Sequence, residues 1–175
     1  MPDPATSNAQ VFNDFVQIGV IVQDLDRTLQ VLSDVFGLGP FRTITYPPAD
    51  RDDIQLTFHG EPAHFSHRIA FAELGPIELE VIQPLTGESG LTEFLAQHGE
   101  GIHHIRFNVT NLEPALDYLA DHDIRPVTTG PGLRPGTQWV HLDTESKIGF
   151  TIEIVKVLPG TTGRTPDIAD GKVQL

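Results

Sequence analysis

The sequence predicts an α+β fold in which two βαβββ modules follow one another and their sheets form a cupped, incomplete mixed β-barrel with the helices outside. Three observations predict it. The stretch QIGVIVQDLDRTLQVL, beginning at Gln17, aligns without gaps on HIRFNVTNLEPALDYL, beginning at His104, an offset of 104 − 17 = 87. Within each copy the apolar period changes from two residues to the 3.6 of a helix. A second match, LEVI around Glu80 and IEIV around Glu153, recurs at an offset of 153 − 80 = 73.

Each copy opens with a strand, because Ile18, Val20 and Val22 in one and Ile105, Phe107 and Val109 in the other alternate along a half-buried face. Asp24 and Asn111 then stand where a helix N-cap belongs. Beyond them Leu25, Leu29 and Leu32, matched by Leu112, Leu116 and Leu119, recur at helical spacing, and Gly37 is placed to end the first helix. Three strand-like runs follow in each half: Phe41 to Tyr46, His67 to Glu73 and Ile77 to Ile82, then Arg125 to Thr129, Gln138 to Asp143 and Thr151 to Val155. The fall in offset from 87 to 73 reflects extra residues in the first half, in a Pro47 to Ser66 loop and a Thr86 to His98 segment. There TEFLAQHG reads as a short connecting helix. The expected divisions are a flexible N-terminus at 1–12, a first module at 13–85, a connecting helix within 86–100, a second module at 101–157 and a tail at 158–175. That tail is rich in Gly, Pro and Thr and is expected to be extended or mobile.

Composition narrows the functions. With 175 residues, 11 Lys plus Arg and 24 Asp plus Glu, the net charge is −13, which argues against a phosphate-backbone partner. Neither DNA nor RNA is expected. No apolar run reaches the roughly 18 to 20 residues of a membrane span. The absence of cysteine removes thiolate metal sites, disulfides and thiol nucleophiles together, leaving His, Asp, Glu, Gln and Asn as metal donors. The opening MPDPATSNAQ lacks the basic start and apolar stretch of a secretory signal, so a cytoplasmic protein is expected.

Alternation also sorts the polar residues. If Ile18, Val20 and Val22 face the helices, Gln17, Gly19 and Ile21 face the other way, as do His104, Arg106 and Asn108, Glu78 and Glu80, and Thr151 and Glu153. The repeat sets Gln17 against His104 and Glu80 against Glu153. One imidazole and three oxygen donors converging in a concave sheet suit one divalent ion, whether Zn, Co, Ni, Mn or Fe. The plainer reading makes Glu80 and Glu153 exposed positions of amphipathic strands, but two symmetry-related pairs of donors weigh against it. His103 falls on the face opposite His104 and is expected to be structural or to support a ligand from behind. Of His59, His64 and His67, only His67 is placed to enter the cavity, sharing a face with Ile69 and Phe71, as an acid or base. TGPGLRPGTQW, with Arg134 at its tip, reads as a connecting turn, and Lys147 receives no role.

The stretches DLDRTLQVLSDVFGLGP, RIAFAELGPIELEVIQPL, GLTEFLAQHGEGIHHIRFNV and GFTIEIV together resemble the vicinal oxygen chelate superfamily of glyoxalases, epimerases, extradiol dioxygenases and resistance proteins, over about residues 14 to 157. Within it the chain is most similar to the methylmalonyl-CoA epimerases. The resemblance implies metal ligands at Gln17, Glu80, His104 and Glu153, with Glu80 and Glu153 catalytic. It implies an isomerase or epimerase that moves a proton next to a carbonyl; Arg106, Asn108, His67 and Thr151, placed on the cavity face by alternation, are the expected substrate contacts. The partner implied is a small carbonyl compound, an acyl-CoA thioester, hemithioacetal or keto acid, and a homodimer is allowed. Two positions depart from the epimerase pattern. Gln17 stands where those proteins usually carry His, giving a set similar to that of a glyoxalase I lyase, and Arg106 replaces a small residue. A guanidinium there is suited to clamping a carboxylate or phosphate. The alternatives are that lyase, a metal-free binding protein of the same fold and an extradiol-type dioxygenase; the last needs two histidines and one carboxylate, and Gln17 removes one histidine.

Overall fold

The computed structural model describes residue 12 and residues 14–51 and 54–174; apart from Phe12, the N-terminal segment expected to be flexible lies outside them. The first strand, β1 (Phe15–Ile21), leads into α1 (Leu25–Phe36). Asp24 begins that helix by accepting from the Arg27 amide at 3.0 Å. Gly37 ends it in the left-handed conformation, φ 66°, its N–H returning to Ser33 O. Next come β2 (Arg42–Tyr46), β3 (Leu56–Phe58), β4 (Glu61–Ala63), β5 (Ser66–Leu74) and β6 (Ile77–Thr86). The short helix α2 (Gly90–His98) starts from a capping box in which Ser89 and Thr92 each bond the other's backbone N–H.

The second half repeats the order with β7 (Gly101–Val109), α3 (Leu112–Ala120), β8 (Pro126–Pro131), β9 (Gln138–Leu142), the single turn α4 (Glu145–Ile148) and β10 (Thr151–Lys156). Asn111 occupies the N-cap position of α3 with extended backbone, but its side chain makes no capping bond.

The ten strands form one curled sheet, a half-barrel, in the order β2-β5-β6-β1-β7-β10-β9-β8-β3-β4. The chain is α+β, as expected, and its repeat is visible in the pairing. At the centre β1 and β7 run antiparallel, and each is flanked by a parallel partner, β6 and β10 respectively. Gly19 pairs with His104 and Gln17 with Arg106. These two pairs exchange under the 87-residue offset, which is the mark of a pseudo-twofold axis between the central strands.

Helices α1 and α3 cover the convex side. Under α1, Val22, Leu25, Ala70 and Val81 are buried together, with Leu29 and Leu32 against them. Under α3, the cluster is Val109, Leu112, Ala115, Leu119, Val140, Leu142 and Ile154. A third cluster, including Ile21, Ile44, Ile69, Phe71, Ile82 and Leu91, fills part of the concave side. Among the described residues, no helix is long and apolar enough to cross a membrane.

Two expectations are corrected. The Pro47 to Ser66 loop contains the β3–β4 hairpin, turned at His59 and Gly60, both at positive φ, and β3 extends the second half's sheet by pairing with β8. Buried Leu56 ties this hairpin to the concave cluster. The C-terminal residues, expected as an extended or mobile tail, turn back onto the cup instead. A small hairpin of β11 (Ile168–Ala169) and β12 (Lys172–Val173) packs Ile168 and Val173 against the concave cluster. Such burial is invisible in a segment whose composition shows no period.

Candidate active site

Glu80 on β6, His104 on β7 and Glu153 on β10 reach the concave side from strands at the centre of the sheet, with β1 between β6 and β7. Strand pairing sets Glu80 beside Gly19 and Glu153 beside Arg106. The His104 ring lies over Gly19, where any Cβ would overlap it, so a glycine opposite the imidazole is a condition of the arrangement. His104 Nε2 is 3.1 Å from Glu80 Oε2 and 3.7 Å from Glu153 Oε2. A fourth donor joins them: His141 on β9 pairs with Glu153 and places Nε2 3.5 Å from Glu153 Oε1.

All four side chains are buried, His104 completely. Even so, His104 Nε2, Glu153 Oε2, Arg106 Nε, His141 Nδ1 and His67 Nδ1 have no hydrogen-bond partner among the described residues. Buried polar atoms normally find partners, and several without them in one cavity point to a missing ligand. Donors held about 2.0 to 2.3 Å from a common ion lie about 3 to 4 Å from one another, as His104 does from Glu80 and Glu153, and His141 from Glu153. The donor set therefore fits a divalent cation.

Electrostatics divides the two carboxyls. Burial pushes Glu80 up, the neighbouring Glu153 charge adding to it and His104 opposing. Burial also pushes Glu153 up, but the His141 bond and the charges of His104, His141 and Arg106 prevail and hold it at about 2. For His104, burial works downward and is overcome by the Glu80 carboxylate beside it and the Glu153 charge, so its pKa rises.

The face of His103 differs from that which alternation assigns. The register of β1 and β7 slips between Gly19/His104 and Val20/Ile102, a β-bulge that sets two β7 residues against one and breaks alternation. His103 is thereby turned toward His104, their Nδ1 atoms 3.0 Å apart. Donor atoms of His103, His104 and His141, all buried, lie within 4.8 Å of one another. Burial, with the charges of His104 and His141, pushes His103 strongly down, so it is neutral.

The other expected site residues take different positions. Gln17 is buried one step along β1 and is engaged elsewhere, its Nε2 donating to Glu78 Oε1 at 2.7 Å. The same carboxylate accepts from Thr165 Oγ1 and, through Oε2, from Arg42 Nη2. Arg106 lines the cavity, but its Nη2 donates to Asn108 Oδ1 and, at 2.6 Å, to Gly163 O. Asn108 in turn donates to Asp14, so both ends of its amide are engaged within the protein. His67 lines the cavity between the rings of Phe65 and Tyr46, and burial together with the His141 charge lowers it to about 4. Thr151 pairs with His104 but borders a second depression, on the α2 side, shared with His103 and His141.

The cavity above the cluster has a volume of about 110 Å³, with Tyr46, Phe71 and Trp139 among its apolar walls and Arg134 and Arg164 at its rim. His141 is the residue that sequence reasoning missed. Its repeat equivalent is Phe71, since Phe71 pairs with Glu80 as His141 pairs with Glu153. That correspondence has an offset of 141 − 71 = 70, unlike those of the first and last strands, and only strand pairing reveals it.

The sequence profile of the Glyoxalase/Bleomycin resistance protein/Dioxygenase superfamily matches residues 16–140. Among curated proteins, an uncharacterized protein of Bacillus subtilis, YqjC, is 36% identical over 63 residues, 36% of this chain and 45% of that protein. The chain thus matches less than half the length of that relative. Among solved structures, hypothetical protein BH1468 of Bacillus halodurans is similar with a TM-score of 0.60 and 24% identity, covering 85% of this chain and 96% of the other. Methylmalonyl-CoA epimerase of Mycobacterium tuberculosis gives 0.62 and 19%, covering 86% and 92%. A Streptomyces coelicolor methylmalonyl-CoA epimerase in complex with 2-nitronate-propionyl-CoA gives 0.58 and 20%, covering 83% and 97%. At these identities the structural likeness speaks for the fold. The profile match spans most of the chain, which belongs to the Glyoxalase/Bleomycin resistance protein/Dioxygenase superfamily.

Proposed function

We propose that this superfamily member is a metal-dependent isomerase or epimerase that moves a proton on the carbon next to a carbonyl group. The observation that carries the reading is the convergence of Glu80, His104 and Glu153, buried together with donor atoms left unpartnered. These three side chains would hold a divalent ion. Such an ion supplies a Lewis acid for a carbonyl oxygen and so acidifies the adjacent C–H.

The chain's own part is proton transfer and positioning. Glu80 and Glu153 come from strands related by the pseudo-twofold axis, so they approach a bound molecule from two sides, as removing a proton and returning it requires. The buried walls around them exclude water from the reacting carbon. Arg134 at the rim offers positive charge to a carboxylate or to a phosphate of an acyl-CoA. The substrate class is a small acyl-CoA thioester, hemithioacetal or keto acid. A glyoxalase I-like lyase is the second reading, since it would use the same proton transfer between the same two carboxylates.

Exchange of substrate protons with solvent tests both. The metal-loaded protein, incubated in D2O with a panel of these three substrate classes, is expected to place deuterium beside the carbonyl of one of them, read by mass spectrometry. Glu80→Gln or Glu153→Gln should slow exchange about 100-fold or more at unchanged metal content, the scale of losing a general base. Oxygen consumption with a catechol, or exchange unaffected by stripping the metal, would overturn the proposal in favour of a dioxygenase or a binding protein.

A further inference from the structure

We propose that His141, rather than Gln17, completes the metal's donor set, making the site a two-histidine, two-carboxylate centre of Glu80, His104, Glu153 and His141. This rests on the metal reading above and assigns a ligand that the repeat does not supply.

Three observations lead to it. The first is that Gln17 is already used. Its amide is one of three groups satisfying the buried Glu78 carboxylate, with Arg42 and Thr165. Gln17 is also not among the side chains lining the cavity, whereas Glu80, Glu153 and His141 are, and swinging its side chain round to them would take a donor from a buried charge. The second is that His141 is aimed at the cluster by strand pairing. Its β9 position is opposite Glu153, its Nε2 is 3.5 Å from that carboxylate, and its ring centroid is 4.8 Å from that of His104. Such positions are set by a ladder of backbone bonds and are not free to wander. The third is that the Nδ1 of His141 is buried without a partner among the described residues. Among them its Nε2 meets only Glu153, so the ring carries into the cavity a buried nitrogen that the protein leaves unsatisfied, which a ligand at the cluster would explain.

The same geometry gives His103 a positioning role. Its Nδ1 lies 3.0 Å from His104 Nδ1, which leaves Nε2 of His104 as the atom facing Glu80 and Glu153. A partner on the far nitrogen is how liganding histidines are usually oriented. Two imidazoles and two carboxylates favour Zn, Co, Ni, Mn or Fe(II) over Mg or Ca.

Metal binding by the full chain, with Co(II) as the probe for affinity and Cu(II) for counting nitrogens, tests the assignment without a substrate. Gln17→Ala should keep Co(II) affinity within about threefold, whereas His141→Ala should lose about 100-fold. His141→Phe, which installs the residue found at the repeat-equivalent position, should lose as much while keeping the far-ultraviolet dichroism and melting profile of the wild type. Pulsed electron paramagnetic resonance of the Cu(II)-loaded wild type should show two coordinated imidazoles, and that of His141→Phe one. A single imidazole in the wild type, or full affinity in both His141 variants, would overturn this inference and leave the metal reading standing. Failure of the wild type to take up one equivalent of Co(II) would overturn both.

Discussion

A side chain at position 19 would overlap the His104 imidazole, so the donor cluster depends on a residue with no side chain as much as on those that carry the donors. The cost of such crowding falls on the ring, since the backbone of β1 is held on both edges by β6 and β7. His67 shows a different dependence, on pH. Burial, helped by the His141 charge, lowers its pKa from 6.5 to about 4, so the native state binds this proton more weakly than the unfolded chain. Stability from this group is intact above pH 6.5 and is lost as pH falls toward 4, where both states are protonated. Between pH 7.5 and 4.5 the loss should reach about 2 to 3 kcal/mol. Urea unfolding at those two pH values is expected to show a smaller acid loss in His67→Phe than in the wild type; equal losses would mean that His67 is solvated in solution.

At the scale of elements, the C-terminal segment behaves as a wall of the site. Gly163 O accepts from Arg106, Thr165 O and Pro166 O accept from Arg42, and Arg164 pairs with Glu73 and donates to Pro76 O at 2.8 Å. Gly163 is at φ 66°, and a Cβ there would overlap the Asn108 amide, so both backbone and contact require glycine. Gly163→Ala should lift the segment while leaving the sheet in place. Hydrogen–deuterium exchange is the measurement: peptides covering 160–170 should exchange faster by about an order of magnitude, as a cost of about 1 to 2 kcal/mol implies, and β7 and β10 should be unchanged. Unaltered exchange would show that these contacts do not hold the segment. The bulge in β7 belongs to this scale too, because one unpaired residue rotates His103 toward His104 and couples the two rings.

For the whole molecule, the continuous pairing of β1 with β7 makes one sheet of the two halves. Damage in one half should therefore be felt in the other. Ile154 is fully buried under α3, and Ile154→Ala is expected to cost about 2 to 5 kcal/mol, the usual range for an aliphatic truncation in a core. Val35 of α1 is 69% exposed, and its change to Ala should stay within about 0.5 kcal/mol. Calorimetry of Ile154→Ala should still give one transition at lower temperature. Two transitions would mean that the halves unfold independently.

Much of the fold was legible because a repeat and an apolar period are local properties of a chain. Ile18, Val20 and Val22 against Ile105, Phe107 and Val109 announce two equivalent strands, and the same alternation puts Glu80, His104, Arg106 and Glu153 on the concave face before any pairing is known. What the sequence did not reveal depends on contacts between distant segments. His103 could not be placed without the bulge, because one extra residue reverses the face that alternation assigns. Gln17 met Glu78, Arg42 and Thr165 only when β1, β2, β6 and the C-terminal segment were brought together. His141 entered the cluster through the register of β9 on β10, set by backbone hydrogen bonds that no side-chain pattern records. The sequence by itself determined two modules, a concave polar face and its carboxylates; tertiary structure decided which donors share a cavity, because register and closure are set by the pairing of whole strands.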